Sequence, residues 1–341
     1  MRFGRIAAAV GAMLVMTAAA QAQSAADFYK GKQITLIVGN DAGGGHDVFA
    51  RVFANHYGRH LPGNPNIVVQ NMPGASGIVA ANHMANVAPK DGLVIAAIYP
   101  ANVIEPLLTS SAQIRYDPRT LGWIGNIAAL NNTCFTWKDS PVKTLADAKT
   151  REVITASGSP TSSSSVFPNV LNQLLGTKFK VITGYPNNGM KLAVERGEVE
   201  GICGWGFDTL MASVPSWVEE KQINFLAQSG LEKVKELPDV PMVSDFATGA
   251  DKAVFRMLDI RTALGRPYLA PPGVPADRLA ALRDGFDRTM RDPAYLADAK
   301  KAKQDVNPTD HKGMMAVVQE AYAMPKEVLD KVAALTRASG G

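Results

Sequence analysis

Cysteine is almost missing from this sequence: Cys134 and Cys203 are the only two in 341 residues. Two cysteines cannot build a disulfide scaffold, and their positions match neither the C-x-x-C spacing of a redox site nor a zinc site. Charge of one sign is scarce as well. The 35 Lys and Arg stand against 31 Asp and Glu, a formal +4, and no basic block marks a nucleic-acid or membrane-surface partner. Long apolar runs are confined to the extreme N-terminus, and no later segment is long enough to span a bilayer. Nor does any stretch carry a G-x-S-x-G elbow, an H-E-x-x-H helix, a G-x-G-x-x-G turn or a phosphate-binding P-loop. His56 and His60 stand four apart but lack a third ligand. They read as surface histidines, and neither a metal, a cofactor nor enzymatic turnover is expected.

What is present is a chain of 46% hydrophobic, 19% charged and 7% aromatic residues, the composition of a folded globular protein with about two domains. The first 22 residues read as a secretory signal. Arg2 and Arg5 form the basic end, Ile6 to Ala20 the apolar run, and Ala20-Gln21-Ala22 a small-residue site for cleavage before Gln23. There is no adjacent arginine pair, and no cysteine at the cleavage site for a lipid anchor. Removing the segment leaves 33 basic against 31 acidic residues, a formal +2. A soluble, exported, monomeric protein is expected.

Along the mature chain strands and helices alternate. Ile34 to Val38 is a β-branched run, Gly43-Gly44-Gly45-His46-Asp47 a turn, and Val48, Phe49, Val52, Phe53 and Tyr57 recur at helical spacing. The pattern repeats with Ile67 to Val69, the turn Pro73-Gly74-Ala75-Ser76-Gly77 and the helix Ile78 to Val87, followed by the strand Leu93 to Ile98. A second set starts near Gly125. It comprises strands at Ile127 to Trp137 and Val153 to Thr155, the hydroxyl-rich turn Ser157 to Ser165, the helix Phe167 to Leu175, and strands at Val181 to Thr183, Val199 to Cys203 and Ile223 to Gln228. Such alternation predicts an α/β fold in two lobes. The first lobe is 27–125 with 231–341, and the second, 126–230, is inserted between its halves.

Three of these turns begin helices, where small residues let the backbone approach a ligand and free N–H groups attract anions. From them come the candidate ligand residues Gly44, Gly45, Asp47, Ala75, Ser76, Ser157, Gly158 and Thr161. Each turn also has a plain reading, as a tight βα connection or a polar loop. Asp47 either orients a ligand or complements the helix dipole and pairs with Arg51 at i+4. Trp205, just past a strand end, either walls the cleft or belongs to the core. Cys134 and Cys203 are a possible disulfide if their strands are neighbours, and two buried thiols otherwise.

In order along the chain, Gly43-Gly44-Gly45-His46-Asp47 with Ala50-Arg51, Val68-Val69-Gln70-Asn71-Met72-Pro73-Gly74-Ala75, Pro89-Lys90-Asp91-Gly92, Gly184-Tyr185-Pro186, Leu192 to Val199, Pro271-Pro272-Gly273-Val274-Pro275 and Arg291-Asp292-Pro293 resemble the substrate-binding proteins of tripartite tricarboxylate transporters, the Bug or TctC-like receptors. The resemblance implies a two-lobed periplasmic binding protein of type II-like architecture, each lobe a mostly parallel sheet flanked by helices, with the ligand cleft between them. It implies capture of a small organic carboxylate, a di- or tricarboxylate or an aromatic acid, and delivery to the large and small subunits of a membrane permease. An extracytoplasmic sensor is the alternative within binding proteins, and a secreted enzyme acting on a small acid the alternative outside them. Gly44, Gly45 and Asp47 correspond to the family's first ligand loop, Ala75 and Ser76 to its second, and Ser157, Gly158 and Thr161 to its Ser/Gly turn. Asn40 and Ala42, with Asp41 between, replace the usual aromatic residue and proline, which adds Asn40 to the candidate ligand residues, and Pro160 replaces a glycine.

Overall fold

The computed structural model describes residues 25–43, 45–160 and 162–338. The signal segment, Gly44 and Thr161 lie outside the described residues. Among the described residues the strands form two sheets. The first opens with β1 (Gln33–Val38), β2 (Asn66–Asn71), β3 (Val94–Ala97) and β4 (Gly122–Asn126). The second consists of β5 (Asn132–Trp137), β6 (Val153–Ala156), β7 (Phe179–Ile182), β8 (Gly201–Gly206) and β9 (Ile223–Ser229). The chain then returns to the first with β10 (Pro267–Ala270) and β11 (Thr309–Asp310).

The strand orders are β11-β4-β10-β3-β1-β2 and β7-β6-β8-β5-β9. Each sheet is parallel in one half only. β2-β1-β3 and β7-β6-β8 are the parallel runs expected of α/β layering, whereas β10 is antiparallel to both β3 and β4, and β5 to both β8 and β9. The antiparallel pairs reflect the two passages between sheets, since β5, β9 and β10 flank those passages. In β1 the residues Ile34, Leu36, Ile37 and Val38 are all buried, which explains a continuous apolar run instead of an alternating one.

One expected strand divides. Ile127 to Trp137 is not a single element: β4 ends at Asn126, and β5 starts at Asn132 in the other sheet. The residues between cross over, and their backbone bonds go to the returning chain, from Ile127 N to Arg266 O and from Leu130 N to Thr262 O. Ile127 and Ala128 are buried in the crossing, so their hydrophobicity reports the core and not a strand. Beside it runs the second passage, where a Cβ on Gly230 would come within 2.3 Å of the Asn131 side chain. Cys134 and Cys203 are register partners on β5 and β8, and the structure joins them as a disulfide.

Three apolar clusters hold the chain. One packs Phe53, Tyr57, Tyr268, Phe286 and Tyr295 beneath the first sheet. Another gathers Phe135, Trp205 and Trp217 under the second. The third runs continuously between the sheets, from Ile37, Met84 and Trp123 through the helix Ala250–Ala263 and the helix Lys326–Ala338 to Phe167, Leu171 and Leu226. The two histidines read as surface residues are in a network instead. His56 is buried, its Nε2 3.0 Å from Asp298 Oδ2, and His60 Nε2 lies 2.8 Å from Asp292 Oδ2.

The helix Ala250–Ala263 is buried on most sides, and Asp259 is its costliest residue. The Ser229 hydroxyl, at the end of β9, donates to Asp259 Oδ1, yet burial pushes the carboxyl up from 3.8 to about 7 against that bond and against nearby Arg256. The folded protein therefore binds a proton between about pH 4 and pH 7 that the unfolded chain releases. That contribution to stability is complete at acid pH and is lost as pH rises through 7. Chemical denaturation across this range should show stability falling toward pH 8 in the native chain, and a flatter profile in Asp259→Asn, which keeps an acceptor for Ser229. Parallel profiles would contradict the assignment.

Candidate functional site

The parallel strands of the first sheet end level: Val38 is in register with Asn71 on β2 and with Ala97 on β3. The loops that follow are thereby gathered at one edge, the carboxyl edge at which open α/β sheets bind ligands. A cavity of about 450 Å³ opens there, between the two sheets, well within the range of small-molecule sites. Ser76 and Tyr99 come from the first sheet's loops, Asn132 from β5, Ser163 from the start of the helix Ser163–Leu175, and Arg261 and Thr262 from the helix Ala250–Ala263. The remaining wall is apolar, built of Pro100, Ala101, Leu130, Val166, Phe167, Val170 and Leu258.

Ser76 sits in a backbone of unusual geometry. Gly74, Ala75, Ser76 and Gly77 all have positive φ, at 136°, 45°, 53° and 88°. For Ala75 and Ser76 this left-handed conformation costs on the order of 1 kcal/mol each. Buried Asn102 holds the turn, its Nδ2 donating to Ser76 O at 3.1 Å. A Cβ on Gly77 would stand 2.6 Å from Asn102 Oδ1, so only glycine lets the turn close onto that side chain. The result aims Ser76 into the cavity.

The first glycine loop is organised from within. Asp47 is buried, and it accepts from Gly43 N at 2.8 Å, Arg51 Nε at 2.9 Å and Asn71 Nδ2 at 2.9 Å. Burial alone would raise its carboxyl; the bonds from Arg51, Gly43 and Asn71 overcome that and lower it. Asn71 Nδ2 also donates to Asn40 O, and Asn40 Nδ2 donates to Asp41 O. Asp47 thus spends its oxygens on the loop, the helix-side alternative of the sequence reading. Gly45 begins the helix Gly45–Tyr57. His46 in its first turn packs edge-on against Tyr99 with ring centroids 4.5 Å apart. Burial, with Arg266 nearby, lowers its ring to about 3, so the imidazole backing Tyr99 is neutral.

The serine turn is also self-contained. Ser157 is fully buried, and its hydroxyl lies 2.9, 2.8 and 2.6 Å from those of Ser162, Ser164 and Ser165. Ser162 and Ser165 direct their protons to Ser159 O, leaving their oxygens to accept from within the cluster. Gly158 O accepts from Gly184 N, tying this turn to the next. From this segment it is Ser163, outside the expected set, that reaches the cavity. Trp205 belongs to the core beside Phe135, ring centroids 6.0 Å apart, and does not line the cavity. Of the expected ligand residues that are described, Ser76 alone lines it.

Arg261 is the residue that sequence reasoning missed with most consequence. Among the described residues no side chain or carbonyl hydrogen-bonds or ion-pairs with its guanidinium. Burial lowers its pKa and the charge of Glu105 opposes that. The signal for it lay in its helix: Val254, Phe255, Met257, Leu258, Ile260 and Ala263 are buried, and a basic residue in such a helix needs a partner or an opening. Tyr99 carried a simpler signal, since it stands immediately after an apolar strand, as the glycine loops do. Among the described residues no group of three His, Cys, Asp or Glu could hold a metal, and no helix is long and apolar enough to cross a membrane.

Comparison with known proteins adds relatives to this geometry. The profile described as tripartite tricarboxylate transporter family receptor matches residues 49–334. A UPF0065 protein from the gbd 5′ region of Cupriavidus necator is 29% identical over 315 residues, spanning 89% of this chain and 87% of its own. A TctC solute-binding protein from Polaromonas superposes with a TM-score of 0.70 at 21% identity, covering 89% of this chain and 99% of that one. An R. palustris protein solved with adipate gives 0.59 at 19% identity, covering 89% and 98%.

Gly204 positions the cavity's second wall. Its φ is +86°, and a Cβ there would lie 2.3 Å from Ser163 O and 2.8 Å from Phe167 Cβ. Gly176, ending the same helix at φ +71°, has nothing within 4 Å. Gly176→Ala should cost about 1 kcal/mol of stability, the backbone term alone. Gly204→Ala should cost more and also weaken ligand binding, because Ser163 and Phe167 must shift. Unfolding and titration of both variants would check this, and equal losses would contradict it.

Proposed function

We propose a receptor function for this chain because it belongs to the tripartite tricarboxylate transporter receptor family, whose profile covers residues 49–334. In this reading 27–125 with 231–341 forms one lobe around the first sheet, and 126–230 the other. The lobes close in the periplasm on a small organic carboxylate and present it to a permease of large and small membrane subunits. The ligand is released unchanged. The similar fold of the adipate-bound R. palustris protein is in keeping with this class of ligand.

The observation that carries the proposal is the cavity between the sheets, whose single charged lining residue, Arg261, has no partner among the described residues. A half-buried guanidinium without a partner gains from an anion that meets it inside the cavity. A carboxylate suits it, because two oxygens accept from the guanidinium fork at once. The turns at Ala75-Ser76 and at Ser163 add hydroxyl and backbone donors from opposite walls, and closure follows from any ligand that both walls bind better together than apart.

Thermal unfolding of the mature protein against aliphatic and aromatic carboxylates and their uncharged amides tests the reading. An acid at 100 times its Kd should stabilise by about 2.7 kcal/mol, its amide should not, and chromatography should return the acid unaltered. Consumption of the acid would point to an enzyme instead. The export reading is tested separately. Expressed with its full sequence in a Gram-negative host, the protein should appear in the periplasmic fraction beginning at Gln23, with Cys134 and Cys203 unreactive to a maleimide until reduced. An uncleaved chain in the cytoplasmic fraction, or thiols that react without reductant, would contradict it.

A further inference from the structure

We propose that the cavity selects a single carboxylate carried on an apolar body, and that Arg261 takes the carboxylate. The inference rests on the receptor reading above and narrows its substrate class.

Along the helix Ala250–Ala263, Arg261 stands apart from the other polar residues. Asp251 meets Lys331, Arg256 bonds Glu320 through two nitrogens at 2.6 and 2.8 Å, Asp259 accepts from Ser229, and the Thr262 hydroxyl donates to Leu258 O at 3.0 Å. Lys252 is exposed. Arg261 is half-buried, has no hydrogen-bond or ion-pair partner among the described residues, and lines the cavity.

Among the described residues no second cation lines the cavity. Arg266 is half-buried; its guanidinium lies 4.7 Å from the Phe49 ring centroid, Nη1 donates to Gly265 O at 3.1 Å, and Nε has no partner among the described residues. It does not line the cavity. The acid whose charge reaches Arg261 is Glu105, and its sign repels further carboxylates. A dianion bound here would bury one charge against neutral hydroxyls, a cost that hydrogen bonds from Ser76, Tyr99 or Ser163 offset only in part. The walls meanwhile offer Leu130, Val166, Phe167, Val170 and Leu258 to whatever carries the first carboxylate, and aliphatic or aromatic surface gains by meeting them.

Calorimetric titration of the purified mature chain with hexanoate, benzoate, adipate, citrate and benzamide tests the proposal. Hexanoate or benzoate should bind at least about tenfold more tightly than adipate or citrate. Arg261→Gln should weaken the monoacid by about tenfold to a hundredfold, the worth of a bond to a charged group, and Arg261→Lys should retain part of the affinity. Circular dichroism of each variant verifies the fold, and the native panel decides the matter even if a variant does not fold. Equal or tighter binding of adipate or citrate, or acids that still bind Arg261→Gln undiminished, would overturn the single-carboxylate inference and leave the receptor reading standing. No response to any acid, or benzamide binding as well as benzoate, would overturn both.

Discussion

Burial of one helix between two sheets is the constraint from which the rest of this molecule follows. The helix Ala250–Ala263 carries the chain back from the second sheet to the first and belongs to the apolar cluster that both sheets share. A helix so enclosed must satisfy each of its polar groups internally. Asp259 does so at the cost of a raised pKa, while Arg256 escapes the constraint by reaching the surface, where it pairs with Glu320. Arg261 does not, and it opens onto the cavity. The cavity is therefore a place where the packing rule is left incomplete, which is the opening that the proposed carboxylate would fill.

The second sustained cost lies in the turn Gly74–Gly77, where two residues with side chains are held in left-handed conformations. Asn102 on the helix Ala101–Leu108 secures the turn, and the Tyr116 hydroxyl donates to Asn102 O in turn. A turn that only closed the βα connection would need none of this, because glycine at all four positions would adopt the same path without strain. Keeping a serine there fixes a hydroxyl-bearing residue against the cavity. The strain and the unpaired guanidinium border the same space from different elements, so two independent departures from ordinary folding economy coincide.

Local pattern made much of the fold legible. The β-branched runs at Ile34–Val38 and Leu93–Ile98, the glycine turns and the amphipathic helices were enough to predict α/β layering, and the structure has those elements. The failure at Ile127–Trp137 is instructive, since apolar residues there are buried in a crossover whose backbone bonds run to Arg266 and Thr262, more than a hundred positions away. No window of local sequence contains that information. The same holds for the site. Helix-start turns were visible because glycine and serine are local signals, but Asp47 and Ser157 proved to be occupied by their own loops. Arg261 reaches the cavity through tertiary packing alone.

These placements divide the work of binding. Arg261 and Thr262 lie beside the crossings, since Leu130 N donates to Thr262 O. In a receptor that opens about its crossings, residues at the crossings move least relative to a bound carboxylate. A contact made equally in open and closed forms contributes affinity but cannot shift the balance between them. Ser76, Tyr99 and Pro100 line the cavity from one side and Ser163, Phe167 and Val170 from the other, so a ligand that spans it touches both. In the receptor proposed above, the charge would therefore retain the ligand while its uncharged body drives closure, and an acid too small to touch both walls would occupy the site without closing it.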